Sequence, residues 1–156
     1  MGVLPVDFDR AIANFKGASR RLETLHSTSD FVVYRDFAHA PSKLRATQAG
    51  VVASFPNRSV TAVFELHTFS SLNRDFLPEY AGSMDRAQHA IVYYDPEVLA
   101  HKKLPDLDPA FVKACFQRDD LEVITDRSEL ERRLQDISPR GQAVLLMSSG
   151  WFSGAK

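Results

Sequence analysis

The chain has one cysteine in 156 residues, Cys115, so it cannot close an internal disulfide. That scarcity fits a reduced, cytoplasmic setting and excludes a disulfide-built scaffold. A lone cysteine also cannot build a zinc site, and His26, His39, His67, His89 and His101 show no metal-ligand spacing. No apolar run approaches the ~18 residues that a membrane span needs. The start, Met1-Gly2-Val3-Leu4-Pro5, lacks the charged segment and apolar core of a secretory signal. Charge of one sign is missing too: 19 Lys and Arg against 20 Asp and Glu leave a net charge of −1. Such a balance gives no footprint for non-specific nucleic-acid binding. Glycine and proline, 7 and 8 residues, are too few for a low-complexity chain. Neither GxxxxGK[ST] nor GxGxxG occurs, so the chain carries no phosphate-cradling loop of its own. No GxSxG elbow supports a Ser–His–Asp triad.

What is present is an ordinary globular composition, 44% hydrophobic and 25% charged. The length fits one domain, 1–156, and is short for a complete enzyme that handles several substrates and a nucleotide. Apolar spacing at Phe8, Ile12 and Phe15, with Asp7 as cap and Gly17 as stop, predicts a first helix. Residues 22–26 and 31–34, joined by Ser27-Thr28-Ser29-Asp30, predict an antiparallel hairpin. Pro41 opens a helix over 42–55. Strands are predicted over 60–65, 90–94, 121–125 and 143–147. Helices alternate with them over 74–87, 109–116 and 127–137, the last capped by Asp126 with Glu129 three residues on. Residues 99–108 read as the longest irregular stretch. This alternation predicts an α/β fold with a largely parallel sheet covered on both faces.

In an open parallel sheet, ligands bind at the carboxyl ends of the strands. Three strand exits are rich in polar residues: Arg35-Asp36-Phe37-Ala38-His39-Ala40-Pro41, Glu65-Leu66-His67-Thr68-Phe69-Ser70-Ser71 and Ser148-Ser149-Gly150. A shared edge would bring Asp36, His39 and His67 together. Each also has a plain reading: Asp36 as a loop hydrogen-bonder, His39 as a cap of the following helix, His67 as a buried, satisfied histidine. Arg20-Arg21, Lys102-Lys103 and Arg132-Arg133 read equally as solvated pairs, and Trp151 and Phe152 as packing.

The same segments carry a family resemblance. The run from Phe15 through Lys16, Gly17, Ala18, Ser19, Arg20, Arg21 and Leu22 to Glu23 resembles the entry into the C-terminal domain of Mur ligases, the peptidoglycan-precursor enzymes. Tyr34-Arg35-Asp36-Phe37-Ala38-His39-Ala40-Pro41-Ser42-Lys43, continued by Ala46-Thr47, resembles their Tyr-Asp-Asp-(Tyr/Phe)-(Ala/Gly)-His-His-Pro-Thr signature. The segment Ala62-Val63-Phe64-Glu65-Leu66-His67-Thr68-Phe69-Ser70 resembles the next strand and its Pro-His loop. The run Met147-Ser148-Ser149-Gly150-Trp151-Phe152-Ser153-Gly154 resembles the closing Met-Ser-Asn-Gly-Gly-Phe-Gly-Gly. The branches it resembles most are murein peptide ligase and UDP-N-acetylmuramate–L-alanine ligase.

The resemblance implies a Rossmann-like sheet, mostly parallel, with one antiparallel edge strand and helices on both faces. It implies the closing domain of a three-domain ligase whose N-terminal domain holds UDP-N-acetylmuramate. The central domain would carry the P-loop and most of the hold on Mg2+. The whole enzyme would use ATP to join L-alanine or a peptide to the UDP-sugar through an acyl phosphate, and the isolated chain would be inactive. By position, Arg21 matches the arginine that approaches the ATP γ-phosphate. Asp36 and His39 match nucleotide-site residues, with His39 also near the amino substrate. His67 matches the histidine facing that substrate, and Thr68 and Ser71 stand where the alanine-adding branch has arginines. Loss of those arginines favours a longer peptide over a free amino acid. Arg35, Ala40, Ser149, Trp151 and Ser153 depart from the family pattern. No metal site, nucleic acid or membrane partner is expected of this chain. The competing reading is a non-catalytic nucleotide-binding or regulatory α/β module.

Overall fold

The structure, a computed structural model, describes residues 21–152. The helix expected around Phe8, Ile12 and Phe15, together with Arg20, Ser153 and Gly154, lies outside the described residues. Six strands form one sheet: β1 Glu23–Ser27, β2 Phe31–Asp36, β3 Ser59–Glu65, β4 His89–Tyr93, β5 Glu122–Ile124 and β6 Gln142–Met147. Four α-helices intervene: α1 Pro41–Ser54, α2 Pro96–His101, α3 Pro109–Phe116 and α4 Arg127–Gln135.

The strand order is β1-β2-β6-β3-β4-β5, with β1 antiparallel to β2 and every other pair parallel. The chain steps outward from β3 to β4 and β5, then returns through α4 to place β6 between β2 and β3. The carboxyl ends of β2, β6 and β3 therefore lie side by side, with Asp36 and Phe64 both opposite Met147. These are the three polar strand exits read from the sequence.

Alternation along β3 shows how both faces are covered. Val60, Ala62 and Phe64 join one core with Leu44 and Val51 of α1, Leu99 of α2 and Val112 and Phe116 of α3. Val63 points the other way, into a smaller core with Ile91, Tyr93, Ile124, Phe152 and Leu130 of α4. Continuous apolar strands are what burial on both faces requires. Helix starts follow local chemistry. Asp95, Asp108 and Asp126 each accept a backbone N–H of the helix that they cap, and Pro opens α2 and α3. Each such cap is worth about 1 kcal/mol.

Two expectations are corrected. Residues 74–87 are not an α-helix; only Leu77–Tyr80 make a 3-10 turn. Pro78 lacks an N–H, Gly82 takes φ +68°, and the Asn73 side chain accepts the Asp75 N–H. The helical spacing was real as burial, since Leu77, Tyr80, Met84 and Ala87 all enter the core, but a chain of turns delivers it. Carbonyls late in these turns and just after them find side-chain donors from distant parts of the chain. Gln48 Nε2 donates to Ser83 O at 2.7 Å. Arg118 donates to Met84 O, to Ala87 O at 2.9 Å and to Gln88 O at 2.9 Å. The second correction is α2, which occupies the start of the stretch read as irregular. Its signal, Asp95-Pro96-Glu97, is a cap followed by a first-turn proline and acid.

Candidate functional site

The loop leaving β2 is tied down at every step. Asp36 Oδ2 accepts the Leu22 N–H at 2.9 Å. Its Oδ1 accepts the Ala38 N–H at 2.8 Å and the Thr47 hydroxyl at 3.3 Å. One carboxylate thus joins the entry to β1, its own loop and α1. It is 8% exposed, so its plain role as a loop hydrogen-bonder is the one the geometry shows. Leu22 sits at φ +45°, a left-handed backbone that costs a non-glycine residue about 1 kcal/mol. Asp36 holds that backbone, and with it the exposed Arg21 just before it. Such strain is commonly kept where a site needs it.

His39 does not cap α1; the N-cap is Ala40, with no side-chain hydrogen bond. Instead the ring Nδ1 lies 2.9 Å from Phe37 O. A carbonyl only accepts, so Nδ1 donates and Nε2 is the nitrogen left for a ligand. The Phe37 ring meets the His39 ring edge-on at 5.2 Å. The buried Tyr80 phenol donates to His39 O at 2.5 Å, and burial raises its pKa, which keeps it a donor. Arg21, Asp36, His39, Lys43 and Thr47 together line a cleft of about 430 Å³. Two cations and an outward imidazole nitrogen suit an anionic ligand such as a phosphate.

The loop leaving β3 forms a second half-site. Glu65 ends an apolar strand yet is 1% exposed. Its Oε2 accepts the Ser148 hydroxyl and the Phe152 N–H, the latter at 2.9 Å. Ser148 in turn accepts the Gly150 N–H at 2.7 Å. His67 stands over this cluster, with Nδ1 3.8 Å from Glu65 Oε1. A Cβ on Gly150 would come within 2.8 Å of the His67 ring, so only glycine fits beneath it. The polar strand exit marks His67 in the sequence; Glu65 is marked only as an acid closing a doubly buried strand.

Thr68 and Ser71 shape this loop. The Ser71 N–H and hydroxyl bond Thr68 Oγ1 and Thr68 O, at 3.0 and 3.1 Å, and Ser71 is fully buried. Thr68 keeps partial exposure. A cation reaches the loop from elsewhere: Lys102 Nζ, read as a solvated pair member, lies 4.2 Å from the centre of the exposed Phe69 ring. The two half-sites meet in the middle, where the Ser148 N–H donates to Asp36 O at 3.0 Å. Asp36 and His39 share one cleft; His67 belongs to the neighbouring cluster. Two departures from the family pattern touch each other, since the Arg35 guanidinium lies 5.0 Å from the centre of the Trp151 ring. Arg35 also pairs with Glu23 across the hairpin at 2.7 Å.

Among the described residues no group of three or more His, Cys, Asp or Glu is placed to hold a metal ion. No helix among them is long and apolar enough to cross a membrane.

The family model described as "Mur ligase, glutamate ligase domain" matches residues 20–150. The chain belongs to the Mur ligase family. This Mur ligase domain is 29% identical over 153 residues to UDP-N-acetylmuramate–L-alanine ligase of Alkaliphilus metalliredigens, covering 96% of this chain and 32% of that protein. It thus spans about a third of the length of such curated relatives. It also matches a solved domain of a ligase from Haemophilus ducreyi, described as UDP-N-acetylmuramate:L-alanyl-gamma-D-glutamyl-meso-diaminopimelate ligase. That match has 26% identity and a TM-score of 0.62, over 86% of this chain and 93% of that one. The fold recurs in murein peptide ligase of Psychrobacter arcticus, with a TM-score of 0.68 at 21% identity, over 94% of this chain and 30% of that one. The mostly parallel sheet with one antiparallel edge is the arrangement expected for this family.

Proposed function

We propose that this Mur ligase domain is the closing domain of an ATP-dependent ligase that joins a peptide to UDP-N-acetylmuramate. The observation that carries the proposal is the cationic cleft between the entry to β1, the loop leaving β2 and α1, lined by Arg21, Asp36, His39 and Lys43. In the proposed reaction a muramoyl carboxylate oxygen attacks the γ-phosphorus of ATP and ADP leaves. The amine nitrogen then attacks the acyl carbon, the C–O bond to phosphate breaks, and the amide forms. Arg21, which lines the cleft, is assigned to neutralise charge on the transferring phosphoryl group. Asp36 serves by fixing the walls of the cleft, and His39 Nε2 by meeting the nucleotide. His67, with Thr68 beside it, faces the amino substrate, while Ser71 shapes their loop. Mg2+ would accompany ATP, held mainly by the central domain of the whole ligase. Closing this domain over the acyl phosphate would exclude water from a reactive intermediate.

The absence of arginines at Thr68 and Ser71 favours a peptide over L-alanine as the amine. Titration of the chain alone with Mg-ATP, followed by calorimetry, tests the shared-site reading. Because half of the nucleotide site is assigned elsewhere, binding no tighter than about 1 mM is expected. A Kd near 1 μM would favour the self-contained nucleotide-binding module instead.

A further inference from the structure

We propose that Glu65 is a positioning residue that holds the neutral His67 ring in its Nδ1–H form, leaving Nε2 as the outward acceptor. The assignment of that acceptor to the incoming amine rests on the reading of His67 given above. Oε2 of Glu65 already accepts two hydrogen bonds, from the Ser148 hydroxyl and the Phe152 N–H. Ser148 Oγ receives the Gly150 N–H, so its own proton is aimed at Glu65. That polarity fixes which carboxylate oxygen remains. Oε1 is left, and His67 Nδ1 is the ring atom that faces it, at 3.8 Å. Nδ1 is itself buried and makes no hydrogen bond, the 3.8 Å gap to Oε1 being a charge contact beyond hydrogen-bond reach.

Leaving a buried polar atom without a partner is costly. A proton on Nδ1 gives both atoms a favourable neighbour. A proton on Nε2 would set two lone-pair acceptors, Nδ1 and Oε1, against each other. The His67 side chain is 36% exposed although Nδ1 is buried, so the exposed edge is the one carrying Nε2. Gly150 makes the arrangement possible, because any Cβ there would fall 2.9 Å from both Glu65 Oε2 and His67 Nδ1. An outward lone pair on a fixed ring suits a substrate ammonium, which must lose a proton before it can attack. In that step the proton passes from the substrate nitrogen to Nε2, and the imidazolium so formed faces the Glu65 carboxylate.

The test is the nitrogen spectrum of the chain labelled with 15N, recorded at about pH 9, well above the usual histidine range. Wild type is expected to show the pattern of a protonated Nδ1 and a bare Nε2. Glu65→Gln is expected to reverse it. The Ser148 and Phe152 donors keep the amide oxygen on their side, so the NH2 group turns to Nδ1 and forces the proton onto Nε2. A wild-type ring protonated on Nε2, or a tautomer unchanged in Glu65→Gln, overturns the proposal. The wild-type spectrum decides the first point even where the variant does not fold. The amine reading is tested separately in the full-length ligase, where Glu65→Gln is expected to lower kcat/KM for the amine by roughly 10²-fold and to leave KM for ATP unchanged. A reversed tautomer with unchanged amine kinetics would overturn the substrate reading while leaving the Glu65–His67 pairing intact.

Discussion

Arg21→Ala in the full-length ligase is expected to reduce kcat about 10³-fold, the scale of arginines that act on phosphoryl transfer. The residue is exposed, at the rim of the cleft floored by Asp36, and next to Leu22, whose strained backbone Asp36 holds. A guanidinium placed there has more to offer a ligand than the fold. The change should therefore leave stability within about 0.5 kcal/mol of wild type, as for other exposed positions. KM for the amine is expected to stay the same, because that substrate is assigned to the His67 side. Lysine in place of Arg21 should restore only part of the rate, since a point charge does not present the planar fork. Unchanged kcat in Arg21→Ala would remove this residue from the phosphoryl step.

Gly150→Ala is expected to lower stability by about 1–3 kcal/mol, the usual range for forcing extra volume into a packed site. The added Cβ would meet His67 at 2.8 Å and Glu65 at 2.9 Å. Neither neighbour moves freely. Glu65 is anchored by Ser148 and Phe152, and Phe152 stacks on Tyr93 at 6.4 Å in the smaller core. The strain is steric, since the backbone of Gly150 lies outside the left-handed region. Urea unfolding should show a lower midpoint with an unchanged slope. A midpoint equal to that of wild type would mean that the loop after β6 has room which the geometry denies it.

The sheet was legible because its strands are apolar runs separated by capped helices. Residues 90–94 and 143–147 were readable as doubly buried, and Asp126 and Pro41 marked helix starts. The antiparallel edge showed in the polar Ser27–Asp30 turn. What periodicity cannot show is which backbone delivers a buried side chain. Leu77, Tyr80, Met84 and Ala87 have helical spacing, but the turns around Pro78 and Gly82 place them through bonds from Gln48 and Arg118, residues distant in sequence. The site was half legible for a related reason. Polar residues after strands marked Asp36, His39 and His67. Nothing local told that the Asp36 oxygens would be taken by Leu22, Ala38 and Thr47, or that Glu65 would be the buried partner of His67. Lys102 reaches Phe69 only because α2 ends beside the β3 loop, which is a property of the fold and not of the motif.

The central claim is that this chain completes an ATP-dependent amide-forming site. The direct measurement is product formation by the full-length protein, with UDP-N-acetylmuramate, Mg-ATP and either L-alanine or the L-alanyl-gamma-D-glutamyl-meso-diaminopimelate tripeptide as amine. The expected result is ADP release that requires both the UDP-sugar and an amine, with one amide formed per ADP and the tripeptide used in preference. Absence of ATP-dependent amide formation with either amine would contradict it.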